Sequence, residues 1–287
     1  MISGKNILVV GGTDGIGREI ANRLVKQNRV LIIGRSKHKG SAFEDYGGAN
    51  ATFIQADISI LKNVVEVCHE IKTHFDNLDI VVHTADILRV KRLNTEEGLE
   101  KSIATNYYSR FLFNHILLHT APVFSPTRII HIAAAGFPAK KRFLESFPLS
   151  PKASSFKGHG IGQIANDLYG LRMNRILKTR NTRVNILNPG VVDTDIRRNG
   201  QFPKVIRLLG YVLGFLMKSR QKRPSEYVEI PLAIIYGHNK DADSFVLFNP
   251  KGKGIHGNST VRNSEIQDSL YKWTLKDIER IIGKLYY

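Results

Sequence analysis

The chain is short of cysteine, of acidic residues and of long apolar runs. Its 287 residues include one cysteine, Cys68. No disulfide can therefore form within the chain, which suits a reducing compartment. Cys68 lies in an amphipathic stretch and reads as a small buried apolar residue. No uninterrupted apolar run reaches the ~18–20 residues that a membrane-spanning helix needs. A strand pattern opens already at Asn6, leaving no room ahead of it for a signal or transit peptide, so a cytoplasmic location is expected.

Acidic residues number 25 against 42 Lys and Arg, a formal net charge of +17. Such an excess attracts nucleic acid, anionic membranes or acidic small molecules without selecting among them. The basic residues are spread along the chain, with no basic tail and no zinc-finger spacing. A specific nucleic-acid partner is therefore not expected.

What is present is alternation. Apolar runs at Asn6–Val10, Val30–Ile33, Thr52–Gln55, Ile80–His83, Arg128–Ile132, Arg183–Leu187 and Phe245–Phe248 are separated by amphipathic stretches near 16–27, 61–74, 96–119, 160–179 and 225–237, with a last helix near 264–283. Continuously apolar strands that alternate with helices predict an α/β fold, a doubly wound parallel sheet of Rossmann type covered on both faces. No linker or repeat divides residues 1–287, so one domain is expected. The segment 196–224 breaks the alternation: an apolar centre from Leu208 to Met217 is flanked by Arg197, Arg198, Lys204, Arg207, Lys218, Arg220, Lys222 and Arg223. It reads as a helical lid over a substrate pocket, or as a peripheral membrane contact.

The first strand runs into Gly11-Gly12-Thr13-Asp14-Gly15-Ile16-Gly17. Gly11 permits a tight turn, Gly15 lets the backbone approach a pyrophosphate, and Gly17 lets the following helix pack against the sheet. The helix N-terminus then offers free N–H groups to phosphates. This placement between strand and helix makes the glycines a dinucleotide signature. The second strand ends in Arg35 and Ser36, with Lys37 and Lys39 beside them, where a ribose-binding carboxylate would mark NAD(H). A guanidinium suits a 2′-phosphate instead, so the expected cofactor is NADP(H). Asp57, after the third strand, is placed to hold an adenine amino group.

These residues resemble the short-chain dehydrogenase/reductase family, most closely its retinol dehydrogenase and WW-domain oxidoreductase branch. The family's TGxxxGIG corresponds to Val10 through Gly17. Thr95 to Glu100 followed by Thr105-Asn106-Tyr107-Tyr108 is similar to the branch's approach to its functional Asn, which assigns that role to Asn106. Asn188-Pro189-Gly190-Val191-Val192-Asp193-Thr194 is similar to the PG motif that touches the cofactor, so Pro189, Gly190, Val191 and Thr194 carry over. The resemblance implies a cofactor-binding enzyme acting on a small, apolar molecule, and family members are often homo-oligomers.

The departures lie where the family does its chemistry. The NNAG after the fourth strand reads His83-Thr84-Ala85-Asp86, with Ala85 retained as a cofactor contact. The serine position is Ala134. The YxxSK helix reads His159-Gly160-Ile161-Gly162-Gln163, so His159 replaces the tyrosine and Gln163 the lysine. Tyr236 and Lys240 have the spacing but lie after the PG motif and are a coincidence.

The altered residues can still be coherent. His159 and Gln163 share a helix face, and an imidazole titrates near neutrality with no lysine beside it. On this reading His159 is the proton donor, Gln163 holds a ribose hydroxyl and Asn106 keeps a water in place. The chemistry is then a reduction, or an isomerisation, dehydration or ring closure in the same pocket. The alternative is a catalytically inactive NADP(H)-binding sensor or scaffold. Gly158, Gly160 and Gly162, which loosen the helix around His159, favour that alternative. His83 and His131 stand near strand ends and are further candidates. A three-histidine metal site with His159 is not expected. Tyr107, Tyr108 and Tyr169 are substitute proton donors or packing residues. The insertion at 138–157, with Lys140, Lys141, Arg142, Lys152 and Lys157, suggests an anionic end on an apolar substrate.

Overall fold

A computed structural model describes residues 2–89, 91–119, 126–140, 153–178, 180–194 and 222–284. Eight strands form one sheet: β1 (Asn6–Val10), β2 (Arg29–Gly34), β3 (Ala51–Gln55), β4 (Ile80–His83), β5 (Arg128–Ile132), β6 (Arg183–Leu187), β7 (Leu247–Phe248) and β8 (Gly254–Ile255). Their order is β3-β2-β1-β4-β5-β6-β7-β8, and every pairing is parallel except β7 with β8.

The strand sequences explain this arrangement. Ile7, Leu8 and Val9 are all fully buried, because both faces of the sheet are covered. Leu8, Leu31 and Val81 pack into one layer with α3 (Leu61–His74), α5 (Ser109–His119) and α6 (Ser155–Ile176). Ile7, Val9, Val30, Ile32 and Val82 pack into the other, against α1 (Gly15–Leu24) and the helices at Pro224–Tyr227 and Glu229–Ile235. Strand order reverses between β1 and β4. Their C-terminal ends therefore diverge, and a crevice opens where open α/β sheets bind ligands.

The fold departs from the sequence reading in several places. Lys37 and Lys39 open a helix that was not among the expected elements, α2 (Lys37–Gly47), which Ser36 caps by accepting from Lys39 N at 3.4 Å. Only Gly40 and Phe43 of α2 are buried, so it carried almost no apolar period. The long pattern from 96 starts as helix only at α4 (Lys101–Ile103), where the Glu100 carboxylate caps Ser102 N and Ile103 N. A π-helical turn, Ala104–Tyr108, then joins α4 to α5. Helix α6 begins at Ser155, five residues earlier than expected, because Ser154 caps Lys157 N. The seventh strand shrinks to Leu247–Phe248, and β8 was not anticipated.

The segment 196–224 lies, as far as residue 221, outside the described residues, as do residues 141–152 of the basic insertion. Among the described residues no helix is long and apolar enough to cross a membrane.

Candidate active site

A cleft of about 500 Å³ opens at the C-terminal ends of β1, β2, β4, β5 and β6. Its floor is the glycine turn. Gly11 has a φ of 90° and Gly15 one of 52°, conformations that a side chain would strain. A Cβ on Gly11 would stand 2.5 Å from Ala85 N, and one on Gly17 would run into Gly11 O and Thr84 Oγ1. The turn and the β4 end are thus locked backbone to backbone, with Thr84 N and Ala85 N donating to Val10 O at 2.8 and 3.1 Å. This close approach forms a cradle at the α1 N-terminus, whose first N–H groups have no partner within the helix.

Most of the expected cofactor residues line the cleft: Gly11, Thr13, Asp14, Gly15, Ile16, Gly17, Arg35, Ser36, Asp57, Ala85, Pro189, Gly190 and Thr194. Val191 does not. Its carbonyl instead accepts from Lys222 N, in the bridge that ties the PG segment to the chain after residue 221. Two of the lining residues do something other than expected. The Asp14 carboxylate caps α1 at Gly15 N and pairs with Lys39. Burial works against its charge, but Lys39 and the Gly15 amide outweigh it and hold the carboxyl below its usual range. A phosphate would be met there by the Lys39 ammonium, not by Asp14. Asp57 accepts from Ser59 through Oδ1 and from Lys101 Nζ at 2.9 Å through Oδ2. Burial again opposes its charge, and those bonds lower its pKa. Arg35 projects from the end of β2 into the cleft and is exposed.

At the other end the structure brings His159, Gln163 and Asn106 together and adds a residue that sequence reading passed over. His159 Nδ1 stands 3.1 Å from Ile87 O and 3.3 Å from Asp86 Oδ1. Those two acceptors favour a proton on Nδ1, which also lies 3.0 Å from Asn106 Nδ2, while Nε2 has the Gln163 amide nitrogen 3.4 Å away. Burial works against the charged ring, but the Asp86 carboxylate and the Ile87 carbonyl raise its pKa above the ordinary value.

Gln163, almost fully buried, accepts from Ala134 N at 2.8 Å and donates to Asp86 Oδ2 at 3.0 Å. It is a strut between the β5 end and Asp86 and is not free for a ribose hydroxyl. Asn106 clamps the backbone of Ile87, accepting from its N at 2.8 Å and donating to its O at 3.0 Å. The amide therefore fixes the carbonyl that orients His159, and its Nδ2 lies 3.0 Å from His159 Nδ1. The π-turn provides this geometry by placing Asn106 between α4 and α5, a distortion common at functional sites.

Asp86 was legible only as a departure from NNAG. The signal was Asp86 itself, a carboxylate at the end of a strand that enters the crevice. Behind Asp86 lies Arg110, 1% exposed, whose Nη2 donates to Ala85 O at 2.7 Å and Ile132 O at 2.9 Å. Burial lowers its pKa to about 10, with Asp86 opposing that shift, and Arg110 stays charged at neutral pH.

The other candidates are structural. His83 and His131 are fully buried, with ring centroids 4.8 Å apart. They sit in a chain of bonds from His83 through Asn114 and His131 to Asn166, which donates to Asn106 O. Burial lowers the pKa of His83 to about 3 and that of His131 well below its ordinary value, so both are neutral. Among the described residues no three His, Cys, Asp or Glu side chains group to hold a metal ion. Tyr107, Tyr108 and Tyr169 are buried away from the cleft, the first two bonded to Thr274 and Asp277 of the helix Ser264–Ile282. Burial pushes all three hydroxyls up, out of the range of a proton donor. Neither Tyr236 nor Lys240 lines the cleft.

Residues 5–137 match the short chain dehydrogenase family. That match ends before α6 and leaves His159 and Gln163 outside it. Retinol dehydrogenase 14 of Mus musculus is 24% identical over 226 residues, covering 73% of this chain and 67% of that protein. A short chain dehydrogenase of Burkholderia cenocepacia, solved in complex with NADP, superposes with a TM-score of 0.60 at 23% identity, over 81% of this chain and 90% of that one. An uncharacterized Mycobacterium Paratuberculosis protein superposes with a TM-score of 0.69 at 17% identity, over 99% and 96%.

Proposed function

We propose, on the premise that the chain is a member of the short-chain dehydrogenase family through residues 5–137, that it is an NADP(H)-dependent oxidoreductase. In this reading its proton donor is His159, poised by Asp86. The observation that carries the proposal is the contact of His159 Nδ1 with Asp86 Oδ1 at 3.3 Å inside the cleft.

The residues present fit a dinucleotide. The Gly11–Gly17 turn keeps its close packing only without Cβ atoms at Gly11 and Gly17, its helix N-terminus suits a pyrophosphate, and Arg35 offers a guanidinium where a 2′-phosphate would fall. When bound, the nicotinamide supplies or accepts hydride. The chain's own part is protonic. Asp86 favours the charged form of His159 against the cost of burial, and in this reading Nε2 gives its proton to the substrate oxygen as charge develops there. Gln163 and Asn106 hold the pair in register from two sides. No hydroxyl stands at Ala134, and its N–H is already used by Gln163. His159 therefore both binds and protonates the oxygen. An apolar carbonyl or alcohol is the expected substrate, in keeping with the retinol dehydrogenase relative.

The test is NADPH oxidation in a single turnover with a panel of apolar aldehydes and ketones. His159→Ala should slow the chemical step by roughly 100-fold or more, the usual worth of a general acid, and leave NADPH affinity unchanged. Full turnover in the variant removes His159 from the mechanism. No turnover in either protein, with NADPH still bound, favours the inactive binding protein.

A further inference from the structure

Two guanidinium groups of the cleft have no carboxylate partner. Each of its three carboxylates has a basic side chain within 4 Å: Lys39 at Asp14, Lys101 at Asp57, and His159 at Asp86, whose Oδ1 makes no hydrogen bond. Two cations remain, Arg35 and Arg89. Arg35 lies at the end of β2, on the side of β1 away from β4, and is accounted for by a cofactor phosphate. Arg89 is not. It lies in the loop after β4, three residues beyond the Asp86 that faces His159, and so at most ~11 Å from it along the chain. Its Nε is closed off from solvent and meets no acceptor among the described residues. Nε itself is out of a ligand's reach, but Arg89 lines the cleft with no acidic partner among the described residues, and a carboxylate matches the planar fork of a guanidinium best, through two parallel bonds.

We infer that Arg89 is the anchor for a carboxylate on the substrate. Resting on the oxidoreductase reading, this narrows the substrate class to oxo- or hydroxy-acids whose apolar body lies between a reacting oxygen at His159 and a carboxylate at Arg89. The site then holds two anions at opposite ends, the cofactor's 2′-phosphate at Arg35 and the substrate's head group at Arg89.

The test reads binding without turnover. Saturated oxo-acids of medium chain length and their methyl esters are titrated calorimetrically into the NADP+-saturated protein and into Arg89→Gln and Arg89→Lys. The wild type should bind at least one acid about tenfold more tightly than its ester, the gain expected of a charge-assisted pair. Arg89→Gln should bring acid and ester level, Arg89→Lys should keep part of the preference, and NADP+ affinity should be the same in all three. Four outcomes overturn the inference: no acid binds, acids bind no better than esters, the preference survives Arg89→Gln, or Arg89→Gln weakens NADP+ itself. A failure of His159 as proton donor would leave this result untouched and would appear only in turnover.

Discussion

At the scale of single residues, the site turns on a trade of partners. His159 reads from the sequence as a tyrosine's replacement, and an imidazole needs no lysine beside it to titrate near neutrality. What it needs is a carboxylate, and Asp86 supplies one across 3.3 Å. A histidine raised in this way stays protonated past its ordinary value near 6.5, roughly the unfolded-state figure. Its contribution to folding is fully present below that value and is lost as pH rises through the folded one. The reductive rate should follow the same proton, flat at low pH and falling through the pKa of His159. Asp86→Asn keeps the shape and removes the charge. Its alkaline limb should move to lower pH while the low-pH plateau stays within a few-fold of wild type, as measured by single-turnover rates across pH. An unmoved limb would show that Asp86 does not set the proton. This pair was only half legible in the sequence. His159 could be read from register, but Asp86 is 73 positions away by number and meets it only because β4 and α6 end at the same crevice.

At the scale of elements, α6 organises the site. His159, Gln163 and Asp167 recur at every fourth residue and so share one face. Gln163 holds Ala134 N, and Asp167 accepts from Gly136 N at 2.9 Å, so one helix face fixes the loop that leaves β5. Asp167 does this while fully buried, with Oδ1 unpartnered, and burial raises its pKa to about 8 despite the Gly136 amide. A carboxyl whose folded pKa is raised stabilises fully below its unfolded value near 3.9 and loses that contribution as pH rises through about 8. Asp167→Asn keeps an acceptor for Gly136 and removes the titration. Its melting temperature relative to wild type should climb between pH 4 and 8 and level off above. A constant difference across that range would contradict the assignment.

Strand positions and helix α3 could be read from period and composition, because burial on both faces leaves a continuous apolar run. Helix α2 could not, since its exposed face is nearly all polar. Nor could the π-turn, since nothing in the sequence distinguishes i+5 from i+4 bonding. The buried bond chain through His83, Asn114, His131 and Asn166 was also hidden: its members are polar residues far apart in sequence that the sheet and two helices bring together.

At the scale of the whole molecule, the fold places two tasks on opposite sides of one crevice. The β1–α1–β2 unit presents the glycine cradle and Arg35, and the β4, β5 and α6 ends present Asp86, His159 and Arg89. The family match runs from β1 through β5 and ends before α6, so it takes in Arg35, Asp86 and Arg89 and leaves His159 and Gln163 outside. The excess positive charge of the chain is not gathered in this cleft, whose lining holds three Lys or Arg and three Asp, with Arg35 and Arg89 lacking a carboxylate partner. The central claim is that this cleft takes a 2′-phosphorylated dinucleotide. Calorimetric titration of the protein and of Arg35→Ala with NADPH and with NADH tests it most directly. The wild type should bind NADPH at least about tenfold more tightly than NADH, and Arg35→Ala should remove that preference by weakening NADPH alone. Equal affinity for the two in the wild type, or no binding of either, would contradict the account.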